Sequence, residues 1–445
     1  MSLLVERQRV RRILGLGLPI MAGSSTWVIL GLADMIFVGF FGTAALGAVG
    51  LGAFISQIFL SLFWGVSIAV QATVARRKGE GRTDDLAAQL NAAIVLVLIV
   101  APLPTIVLYL LAPTIFGLMN SDPEVLAHGI DYLGWLVLSA TFVGVSSAFS
   151  GFWNAIDRPT LFMRVVLFTT LMNVPLNYVF MFGLLGVPAF GVEGAGIGTF
   201  AASVLAFAYN FLLGFKHARG YGFLRVRPSL AQARVLLRLA IPGGMQQVLE
   251  MFALTLMYRI VGTIGTLELA SYTVLVNLIG AVGLPAWGLG TAGATLVGQA
   301  LGKRDKDDAA RWAWDVIKVG CATIAVLGAP LWIAPELVLS AFIHDAETIE
   351  MARLPCRILG LMIVINAVGY MLASMLNGAG DVKRVMYVNL AMQYFVLLPG
   401  AYLGGSVLGF GLLGIWIVHQ FAFRGGQSVI FAMMWRAGRW SRIAI

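Results

Sequence analysis

The sequence predicts an all-α integral membrane protein with twelve transmembrane helices arranged in two six-helix bundles. Three observations predict this fold class: the composition, a series of long apolar stretches, and an internal duplication. Of the 445 residues, 59% are hydrophobic and only 11% are charged. A soluble domain carries about 25% charged residues, so the deficit indicates a chain that lies largely in lipid.

Apolar stretches long enough to cross a bilayer recur from end to end, since a transmembrane helix needs about 20 apolar residues. The predicted spans are 13–38, 45–75, 88–112, 131–156, 160–183, 193–215, 239–263, 268–300, 316–343, 355–379, 384–409 and 410–436. The first of them is too long for a signal peptide and lacks a small-residue cleavage site. It is therefore expected to be a retained helix.

The basic residues follow the spans. With the N-terminus in the cytoplasm, all but four of the 30 Lys and Arg residues fall in cytoplasmic connections or at cytoplasmic helix ends. The exceptions are Arg259, Arg353, Arg357 and Arg424. This is the positive-inside pattern, and it predicts a multi-pass membrane protein with both termini in the cytoplasm. Since topology explains the net charge of +9, nucleic acid is not an expected partner.

The two halves of the sequence match each other at a nearly constant offset. The separation of Pro19 and Pro242 along the chain is the same as that of Asn154 and Asn377, and we call it the repeat offset. Each half contains an even number of spans, so both halves enter the membrane from the same side. This predicts a parallel repeat about a pseudo-two-fold axis along the membrane normal.

The duplication also predicts the domain organisation. The expected domains are an N-terminal six-helix lobe (1–215), a basic cytoplasmic linker (216–238) and a C-terminal six-helix lobe (239–445).

Charged residues inside the spans are candidates for function, because a charge within the bilayer costs several kcal/mol. Asp34 lies late in the first span and Glu250 near the middle of the seventh. A carboxylate in such a place can exchange a proton, a metal ion and a cationic substrate. Arg259 is expected to anchor the interface, and Arg424 lies in the middle of the twelfth span, where it needs a partner that the sequence does not identify.

Uncharged polar residues form a second set. Asn173 and Asn177 stand four residues apart around Pro175, so they lie on one face of the fifth span. Thr199 follows a run of small residues that permits close helix contact. Gln246 lies one turn before Glu250 and is expected to line the same cavity. Helix–helix adhesion is the alternative role for Asn173, Asn177 and Thr199.

Motifs of soluble enzymes do not occur in this sequence. A P-loop, a nucleophile elbow and His pairs at metal spacing are all lacking, so we expect no enzyme activity and no cofactor. An integral-membrane enzyme acting on lipids would need clustered acidic or His residues near an interface. The only such clusters, Asp84-Asp85 and Asp307-Asp308, are expected to be solvated loop ends.

Taken together, these residues resemble the multidrug and toxic compound extrusion (MATE) family, in particular its NorM-type branch. The resemblance is carried by the duplication, by Asp34 within Ala-Asp-Met-Ile-Phe-Val-Gly, by the motif at 149–159, by Asn173-Val-Pro-Leu-Asn177 and by the motif at 377–381. It implies an antiporter that exports organic cations or drugs in exchange for protons or sodium, by alternating access between two lobes. It further implies a lipid-embedded protein of the bacterial inner membrane, which we expect to be a monomer.

The resemblance also assigns site residues. Asp34, Asn173, Asn177 and Thr199 match the ion-coupling positions of the N-lobe, while Glu250 and Asn277 match those of the C-lobe. Asn366 stands where the NorM-type branch has an aspartate, so the C-lobe has one charge fewer. We therefore expect proton coupling, with sodium at Glu250 or Asp34 as the alternative and no metal site firmly assigned.

A second function stays open, a lipid-linked oligosaccharide flippase of the same superfamily. Such flippases favour cationic cavities for their anionic cargo. The carboxylates Asp34 and Glu250 favour a cationic cargo, and Arg424 is the one charge that favours the alternative.

Overall fold

The computed structural model of the protein describes residues 5–443 and 445, and for residues 27–29 and 32 it describes the backbone only. Within this part of the chain every regular element is helical and no β-strand occurs.

The first half of the chain contains nine helices. They are α1 (Arg7–Gly39), α2 (Thr43–Ser61), α3 (Trp64–Gly79), α4 (Ala87–Val100), α5 (Pro102–Met119), α6 (Pro123–Leu138), α7 (Ala140–Ala155), α8 (Pro159–Phe182) and α9 (Val192–His217) among the described residues.

The second half contains nine further helices. They are α10 (Leu230–Gly262), α11 (Thr266–Gly302), α12 (Lys306–Ile333), α13 (Pro335–Ser340), α14 (Ala346–Gly378), α15 (Val382–Ala391), α16 (Leu398–Ala401), α17 (Gly411–Ile417) and α18 (Gly426–Arg436) in the described part. Three π-helical stretches join the last four of them, Met392–Leu397, Tyr402–Val407 and Val418–Gly425.

Consecutive helices combine into twelve long segments over residues 5–443. The pairs α2–α3, α4–α5 and α6–α7 each form one segment, as do Val382–Val407 and 411–436. Eight segments are long and apolar enough to cross a membrane, and the α6–α7 pair, bent by 42°, makes a ninth among the described residues. The predicted all-α, twelve-helix fold class is confirmed.

The duplication is visible in the bounds of the helices. Both ends of α10 follow the corresponding ends of α1 by the repeat offset. The same offset separates α11 from Thr43–Gly79 and α14 from the α6–α7 pair. The two halves therefore repeat their helix lengths as well as their motifs.

Packing divides the chain into two compact units. The N-unit is Ala22–Gln247, and the C-unit combines the residues up to Met21 with Val248–Ile445. The division falls inside α1 and inside α10. The lobes and linker predicted above follow the repeat rather than the packing, and their boundaries stay a prediction.

In the N-unit, a buried amide fixes the segment that joins the two halves. Asn91 of α4 is 3% exposed, and its Nδ2 donates to the carbonyls of Gly222 and Val226, at 3.2 and 2.8 Å. Its Oδ1 accepts from the backbone N–H of Leu224 at 3.1 Å. All the polar atoms of this side chain are thus used to hold the connecting segment against α4.

In the C-unit, the start of α1 is attached to α12. Arg9 forms ion pairs with Asp315 at 2.5 Å and with Asp308 at 2.9 Å, and its guanidinium lies 3.6 Å from the ring centre of Trp312. The expectation of a solvated loop end holds for the exposed Asp307, whereas Asp308 is partly buried in this ion pair.

The predicted ninth span, 316–343, is wrong in its bounds. Helix α12 begins ten residues earlier, where the side chain of Asp305 accepts from the N–H of Asp308 at 2.8 Å, and it ends at Ile333. The cap stabilises a first turn that is too polar for a hydropathy criterion to detect. Pro335 then starts the separate helix α13.

Candidate functional site

Asp34 lies near the end of α1, and the structure turns it toward the interior of the N-unit. Its Oδ1 accepts a hydrogen bond of 2.6 Å from Nδ2 of Asn177 in α8. Asp34 is partly buried and Asn177 is fully buried. The carboxylate is thus held inside the helix bundle by a neutral amide.

The amide of Asn177 continues into a chain of polar groups. Its Nδ2 also donates to Oδ1 of Asn173 at 2.9 Å, and Nδ2 of Asn173 donates to the hydroxyl of Thr199 in α9 at 3.1 Å. Oδ1 of Asn177 is buried and no donor reaches it. No group of three or more His, Cys, Asp or Glu side chains gathers among the described residues. A cation held here would therefore be bound by the carboxylate of Asp34 together with amide and hydroxyl oxygens.

Close contact between α8 and α9 makes this chain possible. A Cβ at Gly198 would overlap Oδ1 of Asn177 and lie 2.7 Å from its backbone nitrogen. A Cβ at Gly194 would lie 2.5 Å from the carbonyl of Phe180. Because only glycine fits at these two positions, the small-residue run that precedes Thr199 brings its hydroxyl within reach of Asn173.

Tyr132 of α6 is a neighbour of Asp34 that the sequence did not reveal. It is 4% exposed and interacts electrostatically with Asp34. Its ring packs on α2, where a Cβ at Gly52 would lie 2.8 Å away. A single tyrosine in an apolar helix gives no sequence signal, since packing in the core explains it equally well.

The C-lobe residues expected from the resemblance are not joined by hydrogen bonds. Glu250 of α10 is partly buried, Asn277 of α11 is exposed, and neither forms a hydrogen bond or ion pair with any described residue. Gln246 belongs to the N-unit, whereas Glu250 belongs to the C-unit. The assignment of Gln246, Glu250 and Asn277 to the site therefore stays a prediction.

Asn366 of α14 takes part in a different polar group. Its Nδ2 donates to Oε1 of Gln420 at 2.7 Å, and Nε2 of Gln420 donates to Nδ1 of His419 at 3.1 Å. Gln420 is fully buried, and no donor reaches the buried Oδ1 of Asn366. The amide of Asn366 is thus held by a second amide.

Arg424 has neutral partners. It donates to Oε1 of Gln427 at 3.4 Å, and Nε2 of Gln427 donates to Oδ1 of Asn389 at 2.9 Å. Its guanidinium also lies 4.8 Å from the ring centre of Phe423. No carboxylate of the described residues pairs with it. It lies in the π-helical stretch Val418–Gly425, a backbone form that is frequent at functional sites.

Sequence reasoning missed the polar partners in this part of the C-unit. His419, Gln420 and Gln427 lie in the twelfth segment and Asn389 in the eleventh. The number of polar residues within these two predicted apolar spans was the sequence signal that could have identified the partners.

Comparison with known proteins identifies the family. The model of the MatE family matches residues 19–179 and 242–403, which is one match for each half of the duplication and most of the chain. The chain belongs to the MatE family. The two matches begin at Pro19 and Pro242, the pair of prolines that defines the repeat offset.

Curated relatives of this MatE protein extend over nearly its whole length. A "Probable multidrug resistance protein NorM" of Pasteurella multocida is 27% identical over 88% of this chain and 85% of the relative. Another of the same name, from Mannheimia succiniciproducens, is 24% identical over 95% and 92%. The resemblance to the NorM-type branch is confirmed, and these names do not favour the flippase alternative.

Solved structures share the fold. "Outward-facing conformation of a multidrug resistance MATE family transporter of the MOP superfamily" has a TM-score of 0.87 at 20% identity and covers 98% of this chain and 97% of that one. "Reverse polarity of binding pocket suggests different function of a MOP superfamily transporter from Pyrococcus furiosus" has a TM-score of 0.85 at 22% identity and covers 97% and 96%.

Proposed function

We propose that this MatE protein is a secondary antiporter that exports organic cations or drugs across the bacterial inner membrane in exchange for protons, by alternating access. The hydrogen-bonded group of Asp34, Asn177, Asn173 and Thr199 carries the proposal. It combines one negative charge with a row of oxygen and amide groups inside a helix bundle.

Exchange follows from competition for one carboxylate. A charge withdrawn from water is costly unless something neutralises it, and either a proton or an organic cation can do so. A proton that reaches Asp34 from outside removes the charge that holds the substrate, and the substrate is released. Loss of the proton to the cytoplasm restores the charge for the next substrate.

The coupling ion is proposed to be the proton, with sodium as the alternative. Sodium needs several oxygen ligands and a nearby negative charge. Around Asp34 the amide of Asn177 presents its N–H groups, and only its Oδ1 is free to accept. In the C-unit, Asn366 is a neutral amide bonded to Gln420 and adds no charge to that of Glu250. Both sites therefore suit a proton better than a metal ion.

The remaining assignments belong to the same proposal. The distribution of basic residues supports a cytoplasmic position for both termini. The protein is proposed to act as a monomer in the lipid bilayer, without a nucleic acid partner.

Transport by purified protein in lipid vesicles tests the proposal. Accumulation of a fluorescent organic cation is followed under a proton gradient without sodium, and separately under a sodium gradient at equal pH on both sides. We expect the proton gradient alone to drive transport. Transport that requires sodium and ignores the pH gradient would contradict proton coupling and leave the antiporter itself in place.

Two substitutions test the site itself. Asp34→Asn keeps the side-chain shape and removes the charge, so export should fall to the level of protein-free vesicles. Glu193→Gln is the matched control, since Glu193 is another carboxylate of the N-unit, bonded to Trp135 at 2.9 Å. It should export as the wild type does. A folded Asp34→Asn protein with normal export would show that this carboxylate is not the coupling group.

A further inference from the structure

Aromatic rings continue from Asp34 to the ends of α1 and α8 in the N-unit. We call them the aromatic ladder: Phe37 near the end of α1, Phe40 and Phe41 in the turn that follows α1, and Tyr178 and Phe182 of α8. Ring centres are 5.8 Å apart for Phe37–Tyr178, 4.9 Å for Tyr178–Phe182, 5.4 Å for Phe41–Phe182 and 6.1 Å for Phe40–Phe182. The rings form one connected series.

The helix spacing places the ladder next to the carboxylate. Phe37 follows Asp34 by three residues within α1, so the two side chains lie on one face of that helix. Tyr178 directly follows Asn177, whose amide donates to Asp34. One end of the aromatic ladder is therefore adjacent to Asp34, the last member of the hydrogen-bonded polar group.

The ladder is fixed on one side and open on the other. Phe37 and Phe182 pack against a buried apolar cluster of the N-unit that includes Val38 and Met181. Phe40 is 74% exposed and Tyr178 is 47% exposed. Rings that are held in place and yet accessible can present their faces to a ligand.

The second half of the chain supplies an internal comparison. At the repeat offset, Met257 corresponds to Asp34. Ile260, Thr263 and Ile264 correspond to Phe37, Phe40 and Phe41. The second half has a one-residue insertion before Pro399, which corresponds to Pro175. Past this insertion, Ser406 corresponds to Phe182, and Tyr402, which corresponds to Tyr178, is the one ring retained. The half that lacks this carboxylate thus lacks most of the ladder too.

The composition of the ladder differs from that of an ordinary aromatic belt. Interfacial belts are built from Trp and Tyr, whose polar ends reach the headgroups. Four of these five rings are Phe, which has no polar end. What a Phe face offers instead is the negative side of its quadrupole, which attracts cations.

We propose that the aromatic ladder is a second binding site for the exported organic cation, which passes by cation–π contact between Asp34 and the end of α8. Its ligand class is large, weakly hydrated cations, such as quaternary ammonium or phosphonium compounds. Small inorganic ions keep their water and do not use it. The inference rests on the proposed export of organic cations and adds the route and the selectivity.

Stepwise fluorination of one ring tests the proposal. Phe182 contacts three other rings of the ladder. Replacing it with mono-, di- and trifluorophenylalanine weakens the quadrupole while the shape changes little. Binding of tetraphenylphosphonium to the purified protein should weaken with each fluorine, by roughly three- to thirtyfold in total.

Two controls separate cation–π contact from simple apolar contact. Triphenylphosphine oxide is a neutral probe with the same kind of aromatic surface, and fluorination should leave its binding unchanged. Trifluorophenylalanine at Phe180, whose ring is 6.5 Å from Phe190 and outside the ladder, should leave tetraphenylphosphonium binding unchanged.

The outcomes are distinguishable from those of the proposed function. The inference is overturned if the wild type exports organic cations but fluorination of Phe182 has no effect on tetraphenylphosphonium binding. The rings would then serve only in packing or as an interfacial aromatic belt. Equal weakening for the neutral probe overturns it as well. Failure of the proposed function would instead appear as a wild type that exports no organic cation under either gradient.

Discussion

Replacement of Gly198 by alanine tests whether close helix contact creates the site at Asp34. The added methyl group would overlap Oδ1 of Asn177 and lie 2.7 and 2.9 Å from its backbone N and Cα. Ordinary contacts between nonbonded heavy atoms are about 3.5–4.0 Å. Helix α9 must therefore move away from α8 by roughly 1 Å at this point.

This displacement is large enough to break a hydrogen bond of the site. The bond from Asn173 to Thr199 is 3.1 Å long. An added displacement of about 1 Å carries it beyond the roughly 3.2 Å upper end of ordinary N–H···O distances. Overpacking of this kind costs about 1–3 kcal/mol, and the lost hydrogen bond about 1 kcal/mol more.

Thermal unfolding in detergent and vesicle transport measure the result. Gly198→Ala should lower the apparent melting temperature and reduce proton-driven export. Gly50→Ala is the matched control, because nothing lies within 4 Å of a Cβ at that helical position of α2. It should leave export unchanged and the melting temperature unchanged or raised. Wild-type stability and export in Gly198→Ala would refute the reasoning.

Three further predictions concern the attachments of each unit and the C-unit amide. Arg9→Met should lower the free energy of unfolding by about 1–3 kcal/mol, because it leaves the carboxylates of Asp308 and Asp315 without their cation. Arg11→Met, at an exposed position of the same helix, is the control and should leave the melting temperature unchanged. Asn91→Ala should expose the connecting segment to proteolysis, since three hydrogen bonds to it are lost; an unchanged digestion pattern would argue against this role. Asn366→Asp should raise the sodium dependence of export in the two-gradient assay, because it adds a negative charge, and a variant that still ignores sodium would contradict that reasoning.

The two halves have diverged at the positions that matter most for the proposal. Past the insertion, Leu397 and Ala401 correspond to Asn173 and Asn177, and both are buried apolar residues. The polar group around Asp34 thus has no counterpart in the second half. Proton exchange at Asp34 alone is compatible with this asymmetry.

The sequence by itself determined the fold class, the twelve segments and the repeat. Hydropathy and helix period are local properties, and a chain of this composition must satisfy its backbone within helices. The same local logic placed Asn173 and Asn177 on one face of α8. It failed at the polar, capped start of α12, where the apolar pattern begins later than the helix.

Only the tertiary structure decided which polar groups meet. In the N-unit it brought Asn177 into hydrogen-bonding contact with Asp34, and Thr199 with Asn173. In the C-unit it left Glu250 without a hydrogen bond to Asn277 or Asn366. It also gave Arg424 neutral partners. The physical reason is that contacts between helices depend on the rotation and separation of each pair. The rotation and separation are set by close glycine contacts, such as Gly198 against Asn177, and by the π-helical turns of the last segments. The residue pattern along one helix carries no information about either quantity.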